Sequence, residues 1–220
     1  MIITHQGAES IKIQFGDTVL AFNPISKGSK IKSQSFGSDI TLVSMNHPDM
    51  NGVENAKRSD REPFIVKGPG EYEIQGVFIK GFPSISHYDI DKKSDTLKER
   101  INTIYSVILE DMNIVFLGAI DTSEISSEVS ESVDTVDILF VPIGGHGVLT
   151  ASESHKLALK FEPKIIIPIH FEGVDIDKDC LKTFLKESGD DGVKPVDKLT
   201  VKRKDLAGRD GDVVVITSGI

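Results

Sequence analysis

Two runs in the second half of the chain constrain its fold most. Val136-Asp137-Ile138-Leu139-Phe140-Val141 and Lys164-Ile165-Ile166-Ile167-Pro168-Ile169 are almost continuously apolar over the length of a strand. A strand with one wet face alternates apolar and polar residues, whereas a strand covered on both faces has no need to. Each run is therefore expected in a sheet packed on both sides. Between them, Thr150-Ala151-Ser152-Glu153 carries the spacing of a capping box, and Leu157 and Phe161 share a face of the helix it opens. Pro163 closes that helix. Further helices are expected to open at Thr122-Ser123-Glu124 and to run over Asp177–Glu187, with a last strand over Asp212–Thr217.

The first half reads differently. Ser10–Phe15 alternates apolar and polar residues and turns at Gly16-Asp17 into Thr18–Phe22, which predicts a hairpin. Ile40–Val43 and Phe64–Val66 are short strands. Glu71–Ile74 and Val77–Lys80 pair around Gln75-Gly76, and Thr103–Glu110 pairs with Asn113–Leu117 around Asp111-Met112. Lys27–Ser38 and His87–Arg100 read as polar loops. Meander strands followed by strands alternating with helices predict two sheets with helices on their outer faces, in one domain over residues 1–220.

Composition narrows the chemistry. One cysteine, Cys180, excludes an internal disulfide and a Cys-rich zinc site, and fits a reducing cytoplasm. Within the helix expected over Asp177–Glu187 and with no histidine nearby in sequence, it reads as a buried structural thiol. Any metal would need His and carboxylate ligands. A net charge of −9 disfavours nucleic-acid binding, and Lys92-Lys93 and Lys202-Arg203-Lys204 read as solvated surface. No stretch has the roughly 20 apolar residues of a membrane span, and the N-terminus lacks the pattern of a signal peptide.

Six histidines occur, and four of them, His47, His87, His146 and His170, follow apolar strands or hairpins. Strand ends hold loop residues with the precision that a metal needs, and imidazole binds divalent zinc at neutral pH. His5 fits within the first strand, and His155 reads as exposed on a helix. Gly144-Gly145-His146-Gly147 is equally well read as a turn that needs glycine conformations.

Several segments together resemble the metallo-β-lactamase superfamily, and within it a small branch similar to the ascorbate-6-phosphate lactonases. They are Ile2–Gly7, Thr18–Pro24, Ile40–Asn51, Gly68–Tyr72, Ile114–Gly118, Val136–Gly145 and Glu162–Phe171, in the family's order. The resemblance implies a four-layer αββα sandwich with its site on one edge of the two sheets. It also implies zinc or manganese, held by His and Asp, activating a water for attack on an ester, lactone, amide or phosphodiester. Here the pattern departs repeatedly. The early Gly-His pair reads Gly7-Ala8, and the Asp-Pro after the second strand reads Asn23-Pro24. The metal loop keeps His47 and Asp49 beside Met45 and Met50, and the bridging Gly-Asp reads Gly118-Ala119. Methionine is a neutral, soft donor that suits copper(I) rather than zinc.

At most one zinc or manganese ion is therefore expected, on His47, Asp49 and His170 with His87, or none at all. His146 and Asp121 are further candidates beside the site. On the first reading His47 and Asp49 serve a mononuclear hydrolase. On the second, which the replacements favour, the chain is a weakly active or non-catalytic scaffold that binds a small molecule or a protein. No phosphate loop, nucleophile elbow or dinucleotide fingerprint competes. The substrate and the oligomeric state are not encoded in these motifs.

Overall fold

The computed structural model describes residues 1–90, 99–173 and 175–219. Lys92-Lys93 and the middle of the loop expected over His87–Arg100 lie outside them. The first strands are β1 (Ile2–His5), β2 (Ile11–Phe15), β3 (Thr18–Phe22), β4 (Ile40–Val43), β5 (Phe64–Lys67) and β6 (Gly70–Ile74). There follow β7 (Val77–Ser86), β8 (Arg100–Leu109), β9 (Met112–Phe116), β10 (Ile138–Pro142), β11 (Ile165–Ile169), β12 (Leu199–Thr200) and β13 (Asp212–Val213). Three helices stand among the described residues: α1 (Ser127–Ser132), α2 (Ala151–Phe161) and α3 (Cys180–Glu187).

The strands form two mixed sheets. One has the order β12-β1-β2-β3-β4-β5, the other β13-β11-β10-β9-β8-β7-β6. The sheets face each other across one apolar layer. Ile3, Ile13, Leu20, Phe22, Ile40 and Leu42 enter it from the first sheet, and Ile79, Val107, Ile114, Phe140, Ile165 and Ile167 from the second. The rings of Phe22 and Phe116 meet at 4.9 Å near its centre. Each such side chain contributes about 1.5–3 kcal/mol on burial, so this layer sets the sandwich. A side-chain hydroxyl links the two sheets across it. The Tyr105 hydroxyl on β8 donates to the Val43 carbonyl at 2.8 Å and accepts from the Gly68 amide at 3.1 Å. Burial pushes the Tyr105 pKa up to about 12, so it stays a neutral donor.

A second apolar layer lies outside the seven-stranded sheet. It joins Val115, Leu139, Val141 and Ile166 to Val129 of α1, Leu157 and Ala158 of α2, and Cys180 and Phe184 of α3. This explains the two uninterrupted apolar runs, since β10 and β11 are buried along their whole length. The capping box of α2 forms as expected, with the Thr150 side chain accepting from the Glu153 amide and Glu153 reaching back. Outside the six-stranded sheet, the cover near Thr41 is loop and one 3-10 turn, Val53–Asn55. There the Ser38 hydroxyl meets Thr41 at 2.8 Å and the Ala56 carbonyl at 2.9 Å.

Several boundaries correct the sequence reading. The helix expected from Thr122 begins at Ser127, after a bond from the Glu124 amide to the Thr122 hydroxyl has made a local turn instead. The helix expected from Asp177 begins at Cys180, because Asp177 accepts from the Asp179 amide. The last strand shortens to Asp212–Val213, and Ile216 beyond it makes only an isolated bridge with Val196. β7 and β8 run on beyond their apolar pattern, pairing from Phe78 with Ile108 to Ser86 with Arg100. His155 is half-buried rather than exposed, its ring 6.2 Å from that of Phe184.

Candidate functional site

Topology brings five strand ends together. β7 and β9 are both antiparallel to β8 and so run the same way, and β9, β10 and β11 are parallel. The loops that leave β7, β9, β10 and β11 therefore share one edge of the sheet. The loop after β4 joins them, since the Thr103 amide donates to the Ser44 carbonyl at 2.8 Å and Met45 bridges to Asn102. The backbone there is left-handed at Ala8, Asn23, Asp89, His146 and His170, a conformation uncommon for residues with a side chain. Strain of this kind collects at functional edges, because the surrounding fold must hold it in place.

Tyr88 is the centre of this edge. Its ring meets the His47 ring edge-on at 5.1 Å and the His170 ring edge-on at 5.2 Å. Its hydroxyl donates to Asp49 Oδ2 at 2.8 Å. Met45, Met50, Ala119 and Val148 complete a buried apolar cluster around it. Burial and the Asp49 charge hold the Tyr88 pKa far above its ordinary value, so the hydroxyl is a neutral donor. Asp49 also accepts from the Ser29 hydroxyl. His47 lies between Asp49, whose Oδ2 is 3.5 Å from Nδ1, and Asp89, whose Oδ2 is 3.0 Å from Nε2.

A second group lies deeper. His170 Nδ1 is 2.9 Å from Glu9 Oε1, and both side chains are buried. The other Glu9 oxygen accepts from Asn23 Nδ2 at 2.9 Å. Asn23 also donates to the Ser44 hydroxyl and accepts from the Ser44 amide, each at 2.8 Å. A carboxylate only accepts, so His170 Nδ1 carries a hydrogen and donates it to Glu9.

The other candidates engage partners of their own. His87 is half-exposed, and its Nδ1 is 2.6 Å from Asp121 Oδ2, which also accepts from the His87 amide. His146, in the glycine turn, faces Asp175 at 3.8 Å. His5 ends β1 with Nδ1 3.0 Å from the Ile216 carbonyl and Nε2 3.0 Å from the Ala8 carbonyl. Desolvation lowers its pKa below the ordinary 6.5, with the two carbonyls opposing that in part. The unfolded chain thus binds this proton more readily. Stability is flat with respect to His5 above pH 6.5 and is lost as the pH falls below it. Denaturant titrations between about pH 5 and 7 are expected to show a smaller acid loss for His5→Gln than for the native chain.

Above Tyr88 the surface opens into a cleft of about 240 Å³. Its walls are Gly28–Ile31, His47, Pro48, Asp49, Tyr88, Asp89, His146 and Asp175. The loop over Lys27–Ser38 is thus a wall of the site and not only a connection.

The model of the β-lactamase superfamily domain matches residues 2–170, well over half of the chain. The chain belongs to this superfamily. No curated protein matches it. Its fold is similar to that of a candidate Zn-dependent hydrolase of the metallo-β-lactamase superfamily from Thermotoga maritima, with a TM-score of 0.74 at 21% identity, over 98% of this chain and 97% of that one. A candidate metal-dependent hydrolase from Parabacteroides distasonis gives a TM-score of 0.63 at 20% identity, over 97% and 91% of the two chains. A metallo hydrolase from the archaeon Ignicoccus hospitalis gives 0.61 at 14% identity, over 91% and 99%. These likenesses establish the metallo-β-lactamase sandwich.

The metal that the superfamily implies does not fit the side chains as they stand. The Tyr88 ring packs edge-on against both His47 and His170, Asp49 is engaged by Tyr88 and Ser29, and Ala119 belongs to the apolar cluster around that ring. His87 is turned to Asp121. Among the described residues, no group of three His, Cys, Asp or Glu could hold an ion. The structure thus brings His47, Asp49 and His170 to one edge without closing them on a common point. Sequence reasoning missed Tyr88 and Glu9. The signal for Tyr88 was an aromatic residue directly after His87, and for Glu9 a charge in a short loop between two strands.

Proposed function

We propose that this chain is a metal-free descendant of the superfamily's hydrolases whose edge cleft binds a small polar molecule without hydrolysing it. The observation that carries this reading is Tyr88, whose ring packs edge-on against both His47 and His170 while its hydroxyl occupies Asp49. A hydrolytic metal needs several ligands and an open position for water at once, and a packed ring supplies neither. The cleft beyond the ring offers imidazoles, carboxylates and Lys30, which suit a polar ligand. A cytoplasmic setting is part of the proposal and rests on the lone, buried Cys180. No helix among the described residues is long and apolar enough to cross a membrane.

One observation favours the second reading, a mononuclear hydrolase. The Glu9 carboxylate orients His170 as outer-shell carboxylates orient metal-bound histidines. Both readings meet in one assay. Lactones, esters and phosphodiesters are offered to the chelator-treated protein with zinc or manganese added back. The proposal expects turnover no greater than that of His47→Ala. It also expects thermal-shift ligands whose effect is lost when Ser29→Trp fills the cleft. Turnover abolished by both His47→Ala and His170→Ala would overturn it.

A further inference from the structure

We propose that the protein has a second binding site, for a free apolar amino acid, in a hollow between α1 and α2 away from the edge cleft. The hollow follows from the late start of α1. With Thr122 held in a turn by the Glu124 amide, the helix covers only Ser127–Ser132. That is fewer than two turns, too short to roof the outer apolar layer. A cavity of about 280 Å³ is left beside it. Val136 and Lys164, which border the cavity, lie where β10 and β11 begin. The edge cleft lies where those strands end, so the two sites are a strand length apart.

The floor of the hollow is apolar. Val136 and Leu157 close it, at 3% and 0% exposure. Ile125, Val133 and Phe161 stand around them, packed on the outer layer yet still partly wet. An apolar group entering here takes that surface out of water, which is the main force holding small ligands in such sites. The volume is just below the roughly 300 Å³ at which drug-sized pockets begin, so it suits a single residue and not a peptide.

The rim carries charge of both signs. Lys160 Nζ donates to the Ser123 carbonyl at 3.1 Å and has no carboxylate among the described residues. Lys164 is already paired, with Nζ 2.6 Å from Asp137 Oδ1. Asp134 and Glu162 line the same hollow and make no ion pair among the described residues. A hydrophobic acid would gain from Lys160 and lose to Asp134 and Glu162, and a hydrophobic amine would do the reverse. A zwitterion with an apolar arm satisfies both, its carboxylate on Lys160, its ammonium toward the acids and its side chain on Val136 and Leu157. Exposed charges contribute little each, so the arm sets the affinity and the rim selects the class.

The test is calorimetric titration and melting of the full-length protein, with leucine as the probe. A dissociation constant of about 1 mM is expected for a molecule of this size. At a tenfold excess over it the melting temperature should rise by roughly 4 °C. Glycine, which lacks the arm, should leave melting unchanged. Isocaproate and isoamylamine, each lacking one charge, should bind roughly fivefold more weakly than leucine. Lys160→Ala should weaken leucine by about the same factor and leave isoamylamine unaffected, a pattern that a merely structural lysine would not give. Ser130→Trp, at an exposed position on the rim, should fill the hollow and abolish the leucine shift. Ser29→Trp in the edge cleft should bind leucine as the native chain does. No saturable leucine binding would overturn the proposal. Leucine binding that is lost in Ser29→Trp, or that survives Ser130→Trp, would overturn it too, by placing the ligand elsewhere. Equal affinity for leucine and isocaproate would overturn the assignment to amino acids. The reading of the edge cleft stands or falls separately, on the turnover assay above.

Discussion

Glu9→Ala is expected to lower the unfolding free energy by about 3 kcal/mol, because it leaves two buried donors without an acceptor and each such loss costs on the order of 1–3 kcal/mol. Glu9 is fully buried and His170 nearly so, at 0% and 2% exposure. The substitution strips a partner from His170 Nδ1 and from Asn23 Nδ2 at once. Neither can turn to water, because Asn23 is tied on its other side to Ser44. Glu9→Gln keeps the volume and an accepting oxygen, so it should cost less than half as much, since one bond of the network survives. Urea unfolding of the three proteins measures the order. A loss below 1 kcal/mol for Glu9→Ala would mean that the pair is replaceable by water.

Gly144→Ala is expected to cost roughly 3 kcal/mol, at the upper end for overpacking. The added Cβ would lie 2.2 Å from the His170 carbonyl oxygen and 2.9 Å from its Cδ2. The nearest obstacle is backbone at the end of a buried strand, so no side chain can rotate aside. Relief requires His170 to move, which loosens its bond to Glu9 and its contact with Tyr88. Gly192→Ala, with nothing near its Cβ position, is the control and should stay within about 0.5 kcal/mol of the native chain. Equal melting of Gly144→Ala and Gly192→Ala would show that this edge yields more easily than its packing implies.

What the sequence revealed follows from the range of the forces involved. β10, β11 and the Thr150 cap were readable because burial on both faces and a three-residue box are local signals. α1 was misplaced because Thr122 spends its hydroxyl on a turn, and propensity alone cannot choose between two Ser/Thr starts four residues apart. The long β7 and β8 owe their last pairs to each other, from Pro83 with Thr103 to Ser86 with Arg100, and no apolar alternation marks them. The site shows the same division. His47, Asp49 and His170 were found from their places after strands. Tyr88 was not, because its meaning depends on β7 reaching Ser86 and delivering the next residues across the mouth of the sandwich. Glu9 and Asn23 were hidden for the same reason, being 161 and 147 residues from the histidine that they support.

The most direct measurement is calorimetric titration of zinc into chelator-treated native protein, with elemental analysis of the product and His47→Ala in parallel. With Tyr88 packed on both histidines and bonded to Asp49, the native chain should show no stoichiometric binding and be indistinguishable from His47→Ala. About one tightly held zinc per chain, absent from His47→Ala, would contradict the account, since the Tyr88 ring would then have to give up its packing on His47 and His170.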